Sequence, residues 1–244
     1  MLQTLLDLCL ALSGKNVKRP ALRRRPAFRR PSCRPRLEAL EDRCLLSAGA
    51  LDPTFGNGAG YVTTSLTNSD DTAYSVLIQP DGKILATGDA RATSGKHNVT
   101  VTHNAGLVRY NADGSLDTSF GSGGEALGPP STSLGYEIGA LYPITGSAND
   151  GKILVGGLAG GFSIARFNAN GTLDPSFGSN GVATANFGAT PGTIGAFYTV
   201  IQSDGKIVAL GEAADTNGGT GVSELARFNS DGSLDASFGQ GGLV

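Results

Sequence analysis

The chain has 244 residues, 16% of them charged, with 37 Gly, no Trp and a formal net charge of −2. That balance averages two unlike parts: residues 1–47 hold 11 of the 19 Lys and Arg and all three cysteines, whereas residues 48–244 carry 17 acids against 8 bases. The acidic body excludes a nucleic-acid surface, which needs clustered positive charge, its lack of Cys excludes disulfides and thiolate metal sites there, and no apolar run reaches the roughly 18 residues of a transmembrane helix.

Residues 1–12, MLQTLLDLCLAL, are apolar, but Asp7 interrupts them and the basic run Lys15 to Arg36 follows rather than precedes them. A secretory signal has the opposite order. The next stretch is too basic and Pro-rich to pack a core and reads as disordered. A short amphipathic helix is expected over 37–46, with Leu37, Leu40 and Cys44 on one side. The alternatives for this head are a basic arm for nucleic acid or membrane, and a start site placed too early.

From Leu51 the chain repeats itself, and internal repeats outrank other signals. The hexamer LDxxFG begins at Leu51, Leu116, Leu173 and Leu234; DGK followed by Ile or Val begins at Asp81, Asp150 and Asp204; an Arg-aromatic-Asn step stands at Arg109, Arg166 and Arg227. In the first unit, Tyr61–Leu66 is expected as a first strand and Ala73–Gln79 as a second. Pro80-Asp81-Gly82 then turns into a third strand over 83–88, and a fourth over 106–111 runs into the Asp113-Gly114 turn. Four short strands per unit, with no helical window, is the pattern of a propeller blade. The fold class is therefore all-β: a repeat array of about three four-stranded antiparallel blades, a partial β-propeller, behind a disordered basic N-terminal segment (1–47). The units are about 51–115, 116–172 and 173–233, with a partial unit over 234–244. Three units fall short of the roughly 4–8 blades of a closed ring. A piece of a longer array is the expectation, with closure by association as the alternative.

Two resemblances sharpen this. The string RPRLEALEDRCLLSA resembles the LEPRxLL-type N-terminal leader of large exported or surface bacterial proteins, departing where Glu41-Asp42-Arg43 replaces the Pro-Arg step. It implies export to the cell surface, the periplasm or the exterior. The markers LDxxFG, PDGKI and ARFNxDGSLD, in order, closely resemble the delta-60 repeat family, which implies propeller-like blades and export but no defined activity. The middle unit departs from the pattern at Asn149-Asp150-Gly151.

Each recurrent residue has a structural and a sharper reading. Asn111, Asp113 and Asp117 place oxygens at alternate positions, with Asp174, Asp231 and Asp235 in the sister copies, and calcium takes six to eight such oxygens. The spacing does not match an EF-hand, so a turn with a positive-φ glycine is expected and calcium is the alternative. Arg109, Arg166 and Arg227 share a strand face with Leu107, Ile164 and Leu225. A buried arginine needs a partner, and the recurring acids are Asp117, Asp174 and Asp235, with Asp52 for the first unit; an anion site is the alternative. Phe55, Phe120, Phe177 and Phe238 are expected to anchor the inter-blade core, with a sugar platform as the alternative. His97 and His103 occur once each, in a segment expected to be a solvated loop.

No catalytic residue, cofactor site or firm metal site is expected. The function read from the sequence is an exported or cell-surface scaffold for binding or structure, without catalysis. A protein or glycan partner is expected at the length-variable loops 90–105 and 213–222, and self-association at open blade edges. The alternatives are part of a propeller enzyme of lyase or glycosidase type, or a calcium-stabilised extracellular array.

Overall fold

The computed structural model describes residues 49–95, 100–131, 136–143, 146–157, 162–187, 195–213 and 222–244. The basic leader, the helix expected over 37–46, His97 and most of 213–222 lie outside these residues.

Eleven strands and no helix make up the described residues. The first sheet holds β1 (Asp71–Ile78), β2 (Ile84–Ser94), β3 (Thr100–Tyr110) and β4 (Glu125–Ser131) in sequence order. The second holds β5 (Tyr136–Leu141), β6 (Ile153–Gly157), β7 (Phe162–Phe167) and β8 (Val182–Ala185). The third holds β9 (Gly195–Ile201), β10 (Ile207–Ala213) and β11 (Val222–Phe228). Every pairing is antiparallel. The Asx-Gly steps at Asp81, Asp150 and Asp204 lie in the connections between the first and second strands of the three sheets, which backbone bonds close between Gln79 and Lys83, Tyr142 and Lys152, and Gln202 and Lys206. This is the meander of a propeller blade, three times over.

The apolar residues explain why the sheets associate. β7 is buried along its whole length, so its alternate side chains leave for opposite neighbours. Ile153, Val155 and Phe167 meet Leu85, Leu107 and Phe120 of the first sheet. Leu154, Phe162, Ile164 and Phe177 meet Ile207, Ala209 and Phe228 of the third. The core therefore lies between blades rather than within one. Each Phe buried there contributes about 2 kcal/mol of transfer free energy.

Two expectations need correction. Tyr61–Leu66 is not a strand. The equivalent segments β4 and β8 follow the LDxxFG phrase and pair back onto β3 and β7, which precede it. No described strand precedes Leu51, so Tyr61–Leu66 has no such ladder to join. The repeated phrase consequently sits inside a blade, between its third and fourth strands. In the third sheet Leu243 bridges Ala226 at the same place. Second, the described residues on both sides of the stretch expected as a loop over 90–105, 90–94 and 100–105, are a strand pair. β2 and β3 stay in register from Ile84↔Tyr110 out to Ser94↔Thr100, because the Thr/Val alternation of this segment suits a ladder.

Candidate functional site

The recurrent residues converge on one cluster per blade, and the backbone explains how. After the third strand the chain reverses through a five-residue turn, closed by Asn111 N–H to Ser115 O and Gly114 N–H to Asn111 O, each at 2.8–2.9 Å. Asp113 Oδ1 accepts the Ser115 N–H and hydroxyl, at 2.9 and 2.7 Å. The reversal returns Asp117 beside Arg109, whose carbonyl accepts the Asp117 N–H at 2.9 Å. The same bond links Asp174 to Arg166 and Asp235 to Arg227.

Side chains then close the cluster. Arg109 Nε lies 2.6 Å from Asp117 Oδ2, Arg166 Nε 2.7 Å from Asp174 Oδ2, and Arg227 Nε 2.7 Å from Asp235 Oδ2. A lysine that sequence reasoning gave no role shares each carboxylate: Lys83 Nζ at 2.7 Å, Lys152 and Lys206 Nζ at 2.8 Å. The signal was present in the recurrent DGK marker, but the lysine stands 34, 22 and 29 residues before its acid. The serine two residues after each acid bonds the other carboxylate oxygen through both N–H and hydroxyl. Each guanidinium also lies over its blade's phenylalanine, 4.4–4.5 Å from the ring centre of Phe120, Phe177 or Phe238, a cation–π contact.

These partners set the acids' ionisation. Lys83 and the Ser119 hydroxyl hold Asp117 well below the usual carboxylate range. At Asp174 burial works the other way, yet the Lys152 and Ser176 bonds outweigh it and the acid is again strongly lowered. Lys206 does the same for Asp235.

Consecutive clusters interlock. Arg109 Nη1 donates to the Ala169 carbonyl of the next turn at 2.8 Å, and Arg166 Nη1 to the Ser230 carbonyl. Gly121 N–H reaches Asn170 O at 2.8 Å, and Gly178 N–H reaches Asp231 O at 2.8 Å. The glycine of each turn rests on the preceding phenylalanine. At Gly171, φ is +88° and a Cβ would stand 2.9 Å from both Gly121 N and Phe120 Cζ, so only glycine fits.

The first copy differs. Asp52 was expected to serve an arginine, but it is exposed and accepts from Thr54 N–H and hydroxyl at 2.8 and 2.7 Å. Its place is taken by Asp117, because the backbone brings each arginine to the acid eight residues later. Phe55 is half-buried, beneath Gly114.

For calcium, the donor set does not fit. Asp113 Oδ1 is engaged by Ser115, Asn111 Nδ2 points at Ser115 Oγ, and Asp117 already faces two cations. Among the described residues no three His, Cys, Asp or Glu are grouped to hold a metal. His103 also departs from the solvated loop expected of it: it stands in β3 with Nδ1 2.6 Å from Asp89 Oδ2, both side chains largely buried. No helix among the described residues is long and apolar enough to cross a membrane.

The model of a family described as a domain of unknown function, beta-propeller (DUF5122), matches residues 79–120, 148–177 and 202–238. Each match runs from just before a DGK turn to the phenylalanine or neighbouring residues of the phrase, which covers one whole side-chain cluster. The match supports a propeller-like repeat family. Neither curated proteins nor solved structures gave a match.

Proposed function

We propose that this chain is an exported or cell-surface propeller-like scaffold whose non-repeating parts bind a protein or glycan partner, and that it is not an enzyme. The observation that carries the reading is the use of the repeated charges. All three recurrent Arg, Asp and Lys sets are spent on one another, and Arg109 and Arg166 on the next turn as well, so the repeat itself is architecture. What varies between blades is then the place to look for recognition. The first blade differs most, because its β2–β3 hairpin runs 11 residues on each side against five to seven in the others. The LEPRxLL-type leader and the delta-60 resemblance support export.

Two measurements test this. Residues 1–47 fused to a reporter should direct it out of a bacterial cytoplasm, and retention inside would remove the export claim. Glycan and protein arrays probed with the whole chain should give a ligand that is lost when residues 93–101 are replaced by a two-residue Asn-Gly turn. A ligand that still binds the shortened protein would place recognition elsewhere.

A further inference from the structure

The first turn of the second blade departs from its counterparts, and a cleft opens beside it. Backbone bonds close this turn at equivalent places in each sheet: Gln79 N–H to Lys83 O, Tyr142 N–H to Lys152 O and Gln202 N–H to Lys206 O, at 2.8–2.9 Å. Three residues lie between these anchors in the first and third blades, and nine, 143–151, in the second. The added length makes an ordered wall. The Asp150 carboxylate accepts the Gly146 and Ser147 N–H groups at 2.7 and 3.0 Å and the Ser147 hydroxyl at 2.8 Å. Between this wall and the Ser203–Gly205 turn of the third blade lies a cleft of about 270 Å³, lined also by Tyr142 and Ser230.

One polar group of the cleft is unanswered. Tyr142 is 5% exposed, and its hydroxyl is buried without a hydrogen-bond partner. Burial raises its ionisation above the ordinary phenol range, so it keeps its proton and can donate. The Arg166 guanidinium stands beside it, and Arg166 Nη1 donates to the carbonyl of Ser230 in the cleft lining. The hydroxyl therefore sits at the inner end of the cleft. Buried polar groups nearly always find partners, and one that does not, next to open volume, marks a place for a ligand atom. Gln79 holds the equivalent place in the first blade with its Oε1 likewise buried and unpartnered, so the position turns a polar tip inward in both blades. What the second blade adds is the tyrosine and the raised wall.

The rest of the lining selects the ligand's chemistry. Pro143 and Ile201 are apolar, while Ser147, Asn149, Ser203 and Asp204 bring hydroxyl, amide and carboxylate groups on short side chains. Asp204 is exposed and spends one oxygen on the Lys206 N–H at 3.1 Å. No Lys or Arg is among the lining residues, so the cleft lacks the cations that anionic ligands are held by. Donors and acceptors around a small apolar patch suit a neutral polyhydroxyl ring. The volume lies just below the roughly 300 Å³ at which drug-sized sites begin, which suits one ring rather than several. We propose that the cleft between the second and third blades binds one neutral sugar unit. Asp204 accepts from its hydroxyl groups, Asn149 bonds beside it, and Tyr142 donates to the oxygen that reaches deepest. The site is separate from the β2–β3 hairpin and rests neither on it nor on export.

Saturation-transfer NMR titrations on the full chain test it, with free neutral hexoses, glycans that end in them, and the matching uronic acids as probes. A neutral sugar, free or linked, is expected to bind, and its uronic acid to bind more weakly. Ser203→Trp fills the cleft from an exposed position and should abolish binding while keeping the melting curve of the parent. Tyr142→Phe keeps the packing of the ring and should weaken binding about tenfold, the effect of one buried hydrogen bond. Protein shortened over 93–101 should bind the sugar unchanged. No binder among the probes, a preference for the uronic acid, or either variant binding as the parent does would overturn the proposal. Loss of binding in the shortened protein would move the sugar to the β2–β3 hairpin, which overturns the cleft and supports the hairpin reading above.

Discussion

The buried arginines show how much a single residue can be asked to do in a blade of about 60 residues. Arg166 is 3% exposed and joins a carboxylate, a hydroxyl, a carbonyl of the next turn and an aromatic ring. Arg166→Met leaves Lys152 as the one cation on Asp174, beside the Ser176 bonds, and is expected to cost about 3 kcal/mol in urea unfolding. Arg227→Met should cost less, because the Arg227 side chain is more exposed than that of Arg166. The turn glycines separate two effects. Gly82 has φ +84° with nothing near its missing Cβ, so Gly82→Ala should cost about 1 kcal/mol, the strain alone. Gly171→Ala adds contacts with Gly121 and Phe120, and about 3 kcal/mol is expected. Equal losses for the two would show that the interlock is loose.

At the scale of the turn and its strand, the clusters predict the response to pH. The three phrase carboxylates ionise at lower pH in the folded protein than in the unfolded chain. Unfolded aspartates take up protons near pH 4, so this stabilisation is complete above that value and is lost as pH falls through the lower folded range. Urea midpoints should be flat from neutrality to about pH 5 and decline below about pH 4. Asp174→Asn should be less stable at neutral pH and show a shallower decline. The same engaged oxygens predict a melting temperature that is unchanged between excess calcium and chelator. A rise with calcium would reopen the alternative of a metal-stabilised array. The recurrence of Arg, Asp and Phe was legible in the sequence, since each repeats at a fixed offset inside the phrase. The lysine's part was not, because a contact across a variable 22–34 residues leaves no periodic trace.

For the whole molecule, the core between blades makes neighbouring sheets depend on each other. Phe177, fully buried, touches side chains of both the second and third sheets. Phe177→Ala is expected to cost about 4 kcal/mol and to lower hydrogen-exchange protection in β7 and β10 together; a loss confined to β7 would argue that the blades open independently. By itself the sequence determined that the body is all-β, repeats about every 60 residues and turns at its Asx-Gly steps, because strand alternation and positive-φ glycine act over a few residues. Only the tertiary structure decided where a blade begins. Tyr61–Leu66 has the composition of a strand yet forms none, the phrase lies within a blade rather than between two, and 90–94 and 100–105 form a ladder where a loop was expected. Pairing is a relation between segments far apart in the chain, and a repeat reads the same from whichever strand the count begins.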